Sequence, residues 1–306
     1  MDKVDKYIIS EKLLSTGFSD IYIAEDPDLK NIVAVKVFHP KGDNVGKDAK
    51  YGPDFWRLRF VEEARLLARF DHPNIINVMY MGEHTDGEPY FVMPFMEANL
   101  LFEIGEDAST EEEIEKLPSK WRPRPISPRR AVEVWRQIMS ALAALHGKDL
   151  VHRDIKPPNI LLNSKQRGRV KLCDFGMVKV PGAKGSRSGI WVGTLDYISP
   201  EQRKSATDVD ARSDVYSAGV IMYRMLTGKL PGSVRAPLRG GRIGVPDDLA
   251  RLIEDCLNKR RKDRPDNAGI VLARLDEIVP IISKLSDKSK VLSRGLAARA
   301  IQAKIT

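Results

Sequence analysis

The first hundred residues read as strands. Tyr7 to Leu14, Asp20 to Glu25 and Ile32 to Phe38 are strand-like in composition and are separated by turn residues, and Val78 to Glu83 and Pro89 to Met93 continue the series. One helical stripe interrupts them: Phe55, Leu58, Val61, Ala64, Leu67 and Ala68, closed by Asp71-His72-Pro73-Asn74. Beyond residue 128 the helical period prevails. Val132, Val134, Trp135, Ile138, Ala141, Leu142 and Leu145 predict a buried helix over Arg130 to His146. Ser213 to Leu226 predicts another, stopped at Thr227-Gly228, and Asp247 to Leu257 and Asn267 to Leu285 close the set. Ile160-Leu161-Leu162 and Val170 to Cys173 read as two short strands between helices.

Three stretches carry no core pattern. His39 to Asp54 is a charged, glycine-bearing segment longer than most connections, which predicts a loop. Leu100 to Pro128 is strongly charged; Thr110-Glu111-Glu112-Glu113 predicts a capping box, Pro118 to Pro128 an extended basic loop, and the whole a solvated insertion. Lys229 to Val245 is rich in Gly, Pro and Arg and predicts no definite element. From Asp287 onward, Val291, Leu292, Leu296, Ala300, Ile301 and Ile305 oppose Lys290, Arg294, Arg299 and Lys304, a basic amphipathic helix that predicts docking on the body of the protein or a lead into further sequence, with membrane-surface binding as the alternative.

Composition narrows the class. A chain of 306 residues can bury a sizeable core in one large or two smaller bodies. The formal charge of +8 allows an acidic partner, but the basic residues are scattered and aromatics make up only 7%, so a solvated surface is expected and no nucleic acid. Cys173 and Cys256 are the only cysteines, which suits a reducing, cytoplasmic setting. No signal peptide, transmembrane run, internal repeat or low-complexity tract is expected.

Candidate chemistry concentrates in His152-Arg153-Asp154-Ile155-Lys156-Pro157-Pro158-Asn159, with Asp174-Phe175-Gly176 starting fifteen residues past Asn159. The two short strands would hold both clusters at one rim. A carboxylate, a lysine and a carboxamide close together, with a second carboxylate beside a glycine, suit phosphoryl transfer: one Asp takes a hydroxyl proton, and Asn159 and Asp174 hold Mg²⁺.

These clusters resemble the HRD-x-K-x-x-N and DFG signatures of the eukaryotic-type protein kinases. Val33-Ala34-Val35-Lys36 resembles the strand motif V-A-I-K, and Gly193-Thr194-Leu195-Asp196-Tyr197-Ile198-Ser199-Pro200-Glu201 resembles G-T-x-x-Y-x-x-P-E. The resemblance spans about residues 7 to 285, with eight dispersed motifs in order. It implies an α+β, two-lobed fold: a small N-terminal lobe of five antiparallel strands plus one helix over residues 1–96, a mainly helical lobe over 97–286, and the tail over 287–306. The implied activity is transfer of the ATP γ-phosphate, with Mg²⁺ or alternatively Mn²⁺, to Ser or Thr hydroxyls of protein substrates, with autophosphorylation.

Roles follow residue by residue from the resemblance. Asp154 would be the base, Lys156 would hold the γ-phosphate, and Asn159 and Asp174 would hold the metal. Lys36 would contact the α/β-phosphates and pair with a helix glutamate ten residues before the H-P-N proline, which is Glu63, with Glu62 as the alternative. Met93 takes the gatekeeper place, Pro94 and Met96 the adenine hinge, and Ile21, Ala34 and Leu161 the apolar slot, with Leu14 and Gly17 in the phosphate loop. Lys156 and Thr194 fit Ser/Thr acceptors. Arg153 would dock a phosphate placed on Ser186 or Ser188, in the segment Met177 to Ile198. Asp214 would hold the catalytic-loop backbone, and Arg264 would bind Glu201.

The sequence also departs from the pattern. In register with G-x-G-x-x-G, the glycine positions hold Leu14, Thr16 and Ser19, which predicts weak nucleotide clamping because side chains keep backbone amides away from phosphates. Pro158 stands where many relatives carry a glutamate that reads basic substrates, and Ser199 replaces the usual alanine. A non-catalytic interaction module of the same fold is the alternative reading, supported by the missing glycines. A kinase of small molecules is disfavoured by Arg153, Lys156 and the intact ending at Glu201.

Overall fold

The computed structural model describes residues 2–39, 52–108, 110–163, 168–179, 195–205, 208–232, 237–239 and 245–282. Most of the expected loop at 39–54, all of 180–194 with Ser186, Ser188 and Thr194, and the tail from 287 lie outside them. The chain forms two compact units, Met1–Glu97 with Cys173–Gly176, and Ala98–Leu172 with Met177–Thr306.

Among the described residues, the first unit is an antiparallel sheet of β1 (Lys3–Val4), β2 (Tyr7–Ser15), β3 (Ser19–Asp26), β4 (Asn31–Phe38), β5 (Tyr80–Glu83) and β6 (Pro89–Pro94), with one helix, α1 (Pro53–Leu67). Strand order is β1-β2-β3-β4-β6-β5. The five strands expected from sequence are therefore six. Lys3–Val4 pairs with Ile8 and Tyr7 as an added edge, and a two-residue strand has no period by which to be found. Register decides the faces. Ile21 pairs with Lys36 and Ala34 with Met93, so Ile21, Ala34, Lys36, Phe91 and Met93 share one face. The other face carries Tyr22, Ala24, Val33, Val35, Val37, Tyr90 and Val92, which with Val4 and Tyr7 form a core cluster.

Helix α1 packs on the Lys36 face through Phe60, whose ring lies 5.6 Å from that of Phe38 and 5.1 Å from that of Phe91. Its buried face differs in phase from the predicted stripe. Trp56, Phe60, Glu63, Ala64 and Leu67 are buried, whereas Leu58 is 53% exposed. The inward face includes an acid, and a search for apolar positions alone excludes an acid.

The second unit contains a small sheet, β7 (Ala98–Asn99), β8 (Ile160–Asn163) and β9 (Arg169–Leu172), in that order. Its helices are α2 (Leu101–Ile104), α3 (Glu111–Lys116), α4 (Pro128–His146), α5 (Pro200–Lys204), α6 (Ala211–Thr227), α7 (Asp247–Cys256) and α8 (Ala268–Ile282). Ser127 caps α4, whose buried residues include every predicted apolar position. α6 is buried on all sides from Ser213 to Leu226, the signature of a central helix. Trp135 of α4 donates its indole N–H to the Ala218 carbonyl at 2.9 Å. A Cβ at Gly219 would lie 2.9 Å from Cys256 Cβ, so the missing side chain permits the close approach of α6 and α7. Gly228, at φ +73°, ends α6 in the left-handed region.

The segment Leu100 to Pro128 is solvated over most of residues 110–122, as its charge predicts, but is anchored upstream of them. The capping box at Thr110 and Glu113 is present. Upstream of it, Leu100 and Ile104 are fully buried. Arg224, on α6 and 1% exposed, donates Nε to Asp107 Oδ1 at 2.8 Å and Nη2 to the Ile104, Gly105 and Glu106 carbonyls. The Tyr197 hydroxyl donates to the other Asp107 oxygen at 2.7 Å. One carboxylate therefore anchors a charged stretch to the middle of the unit. Replacing it should show the cost of an unpaired buried guanidinium. Asp107→Ala is expected to lower unfolding free energy by about 2–4 kcal/mol, less than a fully dry pair because Asp107 keeps some water contact. Adding Arg224→Met should recover part of the loss in urea denaturation; a loss under about 0.5 kcal/mol for Asp107→Ala would refute the anchor.

Candidate active site

Strand β4 and helix α1 bring Lys36 and Glu63 together within the first unit. Lys36 Nζ donates to Glu63 Oε1 at 2.8 Å and Oε2 at 2.9 Å. The Phe60 and Phe91 rings lie 5.9 and 5.5 Å from the ammonium, which adds a cation–π contribution. Burial alone would strip the lysine of its proton, but the charges of Glu63 and Asp174 outweigh it and raise its pKa. Burial pushes Glu63 up as well, against the pull of Lys36. Glu62, the alternative partner, is half exposed and sits 3.5 Å from Arg59.

Asp174 and Gly176 belong to the same unit. The Phe175 N–H bonds Glu63, and Arg59 Nη2 donates to the Gly176 carbonyl at 3.1 Å. A Cβ on Gly176 would stand 3.4 Å from Glu63 Oε2 and 3.5 Å from Asp174 Oδ1, so both carboxylates flank this glycine. Phe175 is buried, its ring 6.1 Å from that of Phe70.

The residues named for adenine and phosphate mostly line one face of the sheet. Leu14 pairs with Ile21, Ile21 with Lys36, and Ala34 with Met93. Pro94 ends β6 opposite Val33, and Met96 just beyond it is buried. Leu161 lies on β8 of the second unit, paired with Asn99. Around Gly17 the turn is closed by hydroxyls. Thr16 Oγ1 accepts from the Ser19 N–H at 3.0 Å and bonds the Ser19 carbonyl at 2.9 Å and Oγ at 3.0 Å. Phe18 stacks on Trp56 at 4.0 Å. Serine and threonine thus build the turn by side-chain bonds where glycine would act by conformational freedom.

The second unit gathers Asp154, Lys156 and Asn159. Lys156 Nζ is 2.9 Å from Asp154 Oδ2, and Asn159 Nδ2 donates to the same oxygen at 3.0 Å and to the Asp154 carbonyl at 2.8 Å. Two acceptors fix the amide orientation and leave Asn159 Oδ1 as an acceptor. Among the described residues no group of three or more His, Cys, Asp or Glu is placed to hold a metal. Asn159 in the second unit and Asp174 in the first each carry a hard oxygen donor of the kind Mg²⁺ prefers.

Behind this cluster stands Asp214, 1% exposed, which accepts from the His152 N–H at 2.7 Å and the Arg153 N–H at 2.8 Å. His146 Nδ1 accepts from the Ala268 N–H, so its ring proton lies on Nε2, 3.1 Å from Asp214 Oδ2. Burial would raise the Asp214 pKa, but these bonds hold it below the ordinary value. Arg153, at φ +67°, donates Nε to the Met177 carbonyl at 2.6 Å. Arg264 grips Glu201 with both terminal nitrogens, at 2.7 and 2.8 Å, and Ser213 Oγ adds a bond at 2.8 Å. His146, Ser213 and Gln202, whose amide donates to the Arg153 carbonyl at 2.7 Å, were not singled out from sequence. Each is one polar residue in a helix, and no spacing marks it.

A family model described as protein kinase domain matches residues 7–272. Among curated proteins, the chain is 38% identical over 229 residues to serine/threonine-protein kinase PknL of Mycobacterium bovis, covering 74% of this chain and 50% of that one. It is 35% identical over 231 residues to serine/threonine-protein kinase pkn2 of Myxococcus xanthus, covering 74% and 25%. With serine/threonine-protein kinase PknB of Mycolicibacterium smegmatis it shares 35% over 233 residues, covering 74% and 33%. The chain thus spans half or less of the length of these relatives.

Glu201 gives the site a pH signature. Burial alone would raise its pKa, but bonds from Arg264, its own N–H and Ser213 push it down to about 2 from an ordinary 4.5. A depressed carboxylate contributes its stabilisation above the unfolded value and loses it as pH falls from about 4.5 to about 2. The stability gap between wild type and Glu201→Gln, measured by urea unfolding, should therefore shrink across that window. A gap that is constant with pH would contradict this.

Proposed function

The chain belongs to the protein kinase family, and from that premise we propose that it transfers the γ-phosphate of ATP to serine or threonine hydroxyls of protein substrates. The observation that carries this reading is the state of Asp154. Both donors that touch its carboxylate, Lys156 and Asn159, fall on Oδ2. Those two contacts orient the carboxylate, and in this reading it accepts the hydroxyl proton through Oδ1. Lys156 lies next to that carboxylate, where its charge would hold the γ-phosphate as the hydroxyl oxygen attacks. Lys36, kept protonated by Glu63, would hold the α/β-phosphates.

Family membership implies ATP and a divalent cation. Mg²⁺ is our choice, on the hard oxygens of Asn159 and Asp174, and when bound it would neutralise charge on the phosphates. Ser/Thr acceptors are supported by Lys156, by the Gly193-to-Glu201 ending, and by relatives that bear the name serine/threonine-protein kinase. Cys173 and Cys256 form no disulfide, which supports a reducing, cytoplasmic setting. Among the described residues no helix is long and apolar enough to cross a membrane.

A second reading, an interaction module with weak or no turnover, draws on the turn at Thr16 and Ser19, where side chains that bond each other stand in place of glycines. Turnover separates the two. With radiolabelled ATP, magnesium and a generic acceptor protein, the wild type should label serine and threonine, and Asp154→Asn should be slower by about 10²–10⁴-fold. Equal labelling by both proteins, or label on tyrosine alone, would overturn the proposal. For the loop, Thr16→Gly/Ser19→Gly should lower the KM for ATP while costing about 1–2 kcal/mol of stability through lost hydroxyl bonds and added chain entropy. An unchanged or raised KM would count against weak clamping.

A further inference from the structure

We propose that Gln202 is a positioning residue for the catalytic base, acting through the carbonyl of Arg153. This rests on the reading of Asp154 as that base. Arg153 is 5% exposed and sits at φ +67°, a left-handed conformation that a side chain with a Cβ adopts only under constraint. Such a residue stays in place only if its neighbours hold it, and here three do. Asp214 Oδ1 takes its N–H at 2.8 Å, the Met177 carbonyl takes its Nε at 2.6 Å, and Gln202 Nε2 donates to its carbonyl at 2.7 Å.

The last of these bears on chemistry. The Arg153 carbonyl belongs to the peptide whose nitrogen is that of Asp154, so whatever fixes that oxygen fixes the plane from which the Asp154 side chain departs. The same peptide's N–H lies 3.3 Å from His152 Nδ1. Gln202 is 1% exposed, so water cannot replace its donation, and a carbonyl deprived of it would be left buried without that partner. Gln202 is itself held, because α5 is capped by Ser199 and its neighbour Glu201 is gripped by Arg264 and Ser213. Adjacent residues on one short helix therefore serve two ends: Glu201 fastens the helix, and Gln202 passes its position to the base. The end of the segment that receives substrate is thereby coupled to Asp154.

Two variants and two readouts test this in the full chain. Gln202→Met keeps the volume and removes the donor. Its kcat should fall roughly tenfold, with KM for ATP and for acceptor within about twofold, since an ill-set base slows chemistry and not binding. Hydrogen exchange across residues 150–156 should accelerate, with exchange in α4 unchanged. Gln202→Glu supplies a donor only when its carboxyl is protonated, and burial favours that form. Its kcat relative to wild type should therefore recover as pH is lowered from about 8 to about 6, whereas that of Gln202→Met should stay low throughout. A merely structural role would not produce that difference. A Gln202→Met enzyme with kcat within twofold of wild type, a loss confined to KM, or wild-type exchange over 150–156 would overturn the proposal. If the wild type itself shows no turnover, the functional reading fails separately, and the exchange measurement still decides whether Gln202 holds this peptide.

Discussion

A buried carboxylate with nowhere to turn holds the catalytic stretch together. His152 and Arg153 lie outside any helix or strand, so their N–H groups have no ladder to join, yet both residues are buried. A buried donor left unpaired costs about 1–3 kcal/mol, and Asp214 accepts from both. It can do so because it lies in the first turn of a helix sealed on every side, with His146 donating to the same carboxylate. The geometry of Asp154 follows from this arrangement. A left-handed residue, Arg153, precedes Asp154, and its conformation survives only while the surrounding bonds outweigh its strain.

The second unit extends that logic outward. The Arg264 guanidinium carbon lies 4.8 Å from the centre of the Tyr216 ring while the group grips Glu201. Both α6 and α5 are thus referred to one guanidinium. Arg224 does the same for the stretch before α3, and Asp107 links it to Tyr197 near the start of α5. These two buried arginines are therefore fixed points of the unit. Their planar, many-donor geometry makes arginine the suitable residue.

In the first unit the decisive interaction is the pair of Lys36 and Glu63. A buried ion pair is weak evidence for stability, because desolvating two charges offsets much of their attraction. Its value here is orientation: α1 can satisfy Glu63 only with the face of Trp56, Phe60 and Leu67 turned to the sheet. Asp174 in the same unit adds a second negative charge near Lys36 and keeps the ammonium protonated. The arrangement keeps a buried cation charged and paired.

The sequence by itself determined the strands of the first sheet, the long helices and the polar clusters. Alternation and helical period record which positions face an interior, and motif spacing is a property of neighbours in the chain. Lys36 with Glu63, and Asp154 with Lys156 and Asn159, were legible for that reason. Only the tertiary structure decided the sixth strand, the true inner face of α1, the anchoring of the stretch around Asp107 and the bond of Gln202 to Arg153. Those depend on bonds that join residues far apart, 49 positions for Gln202 with Arg153 and 117 for Arg224 with Asp107, where no local period exists. A polar residue buried by a distant partner looks, along the chain, like one left in water.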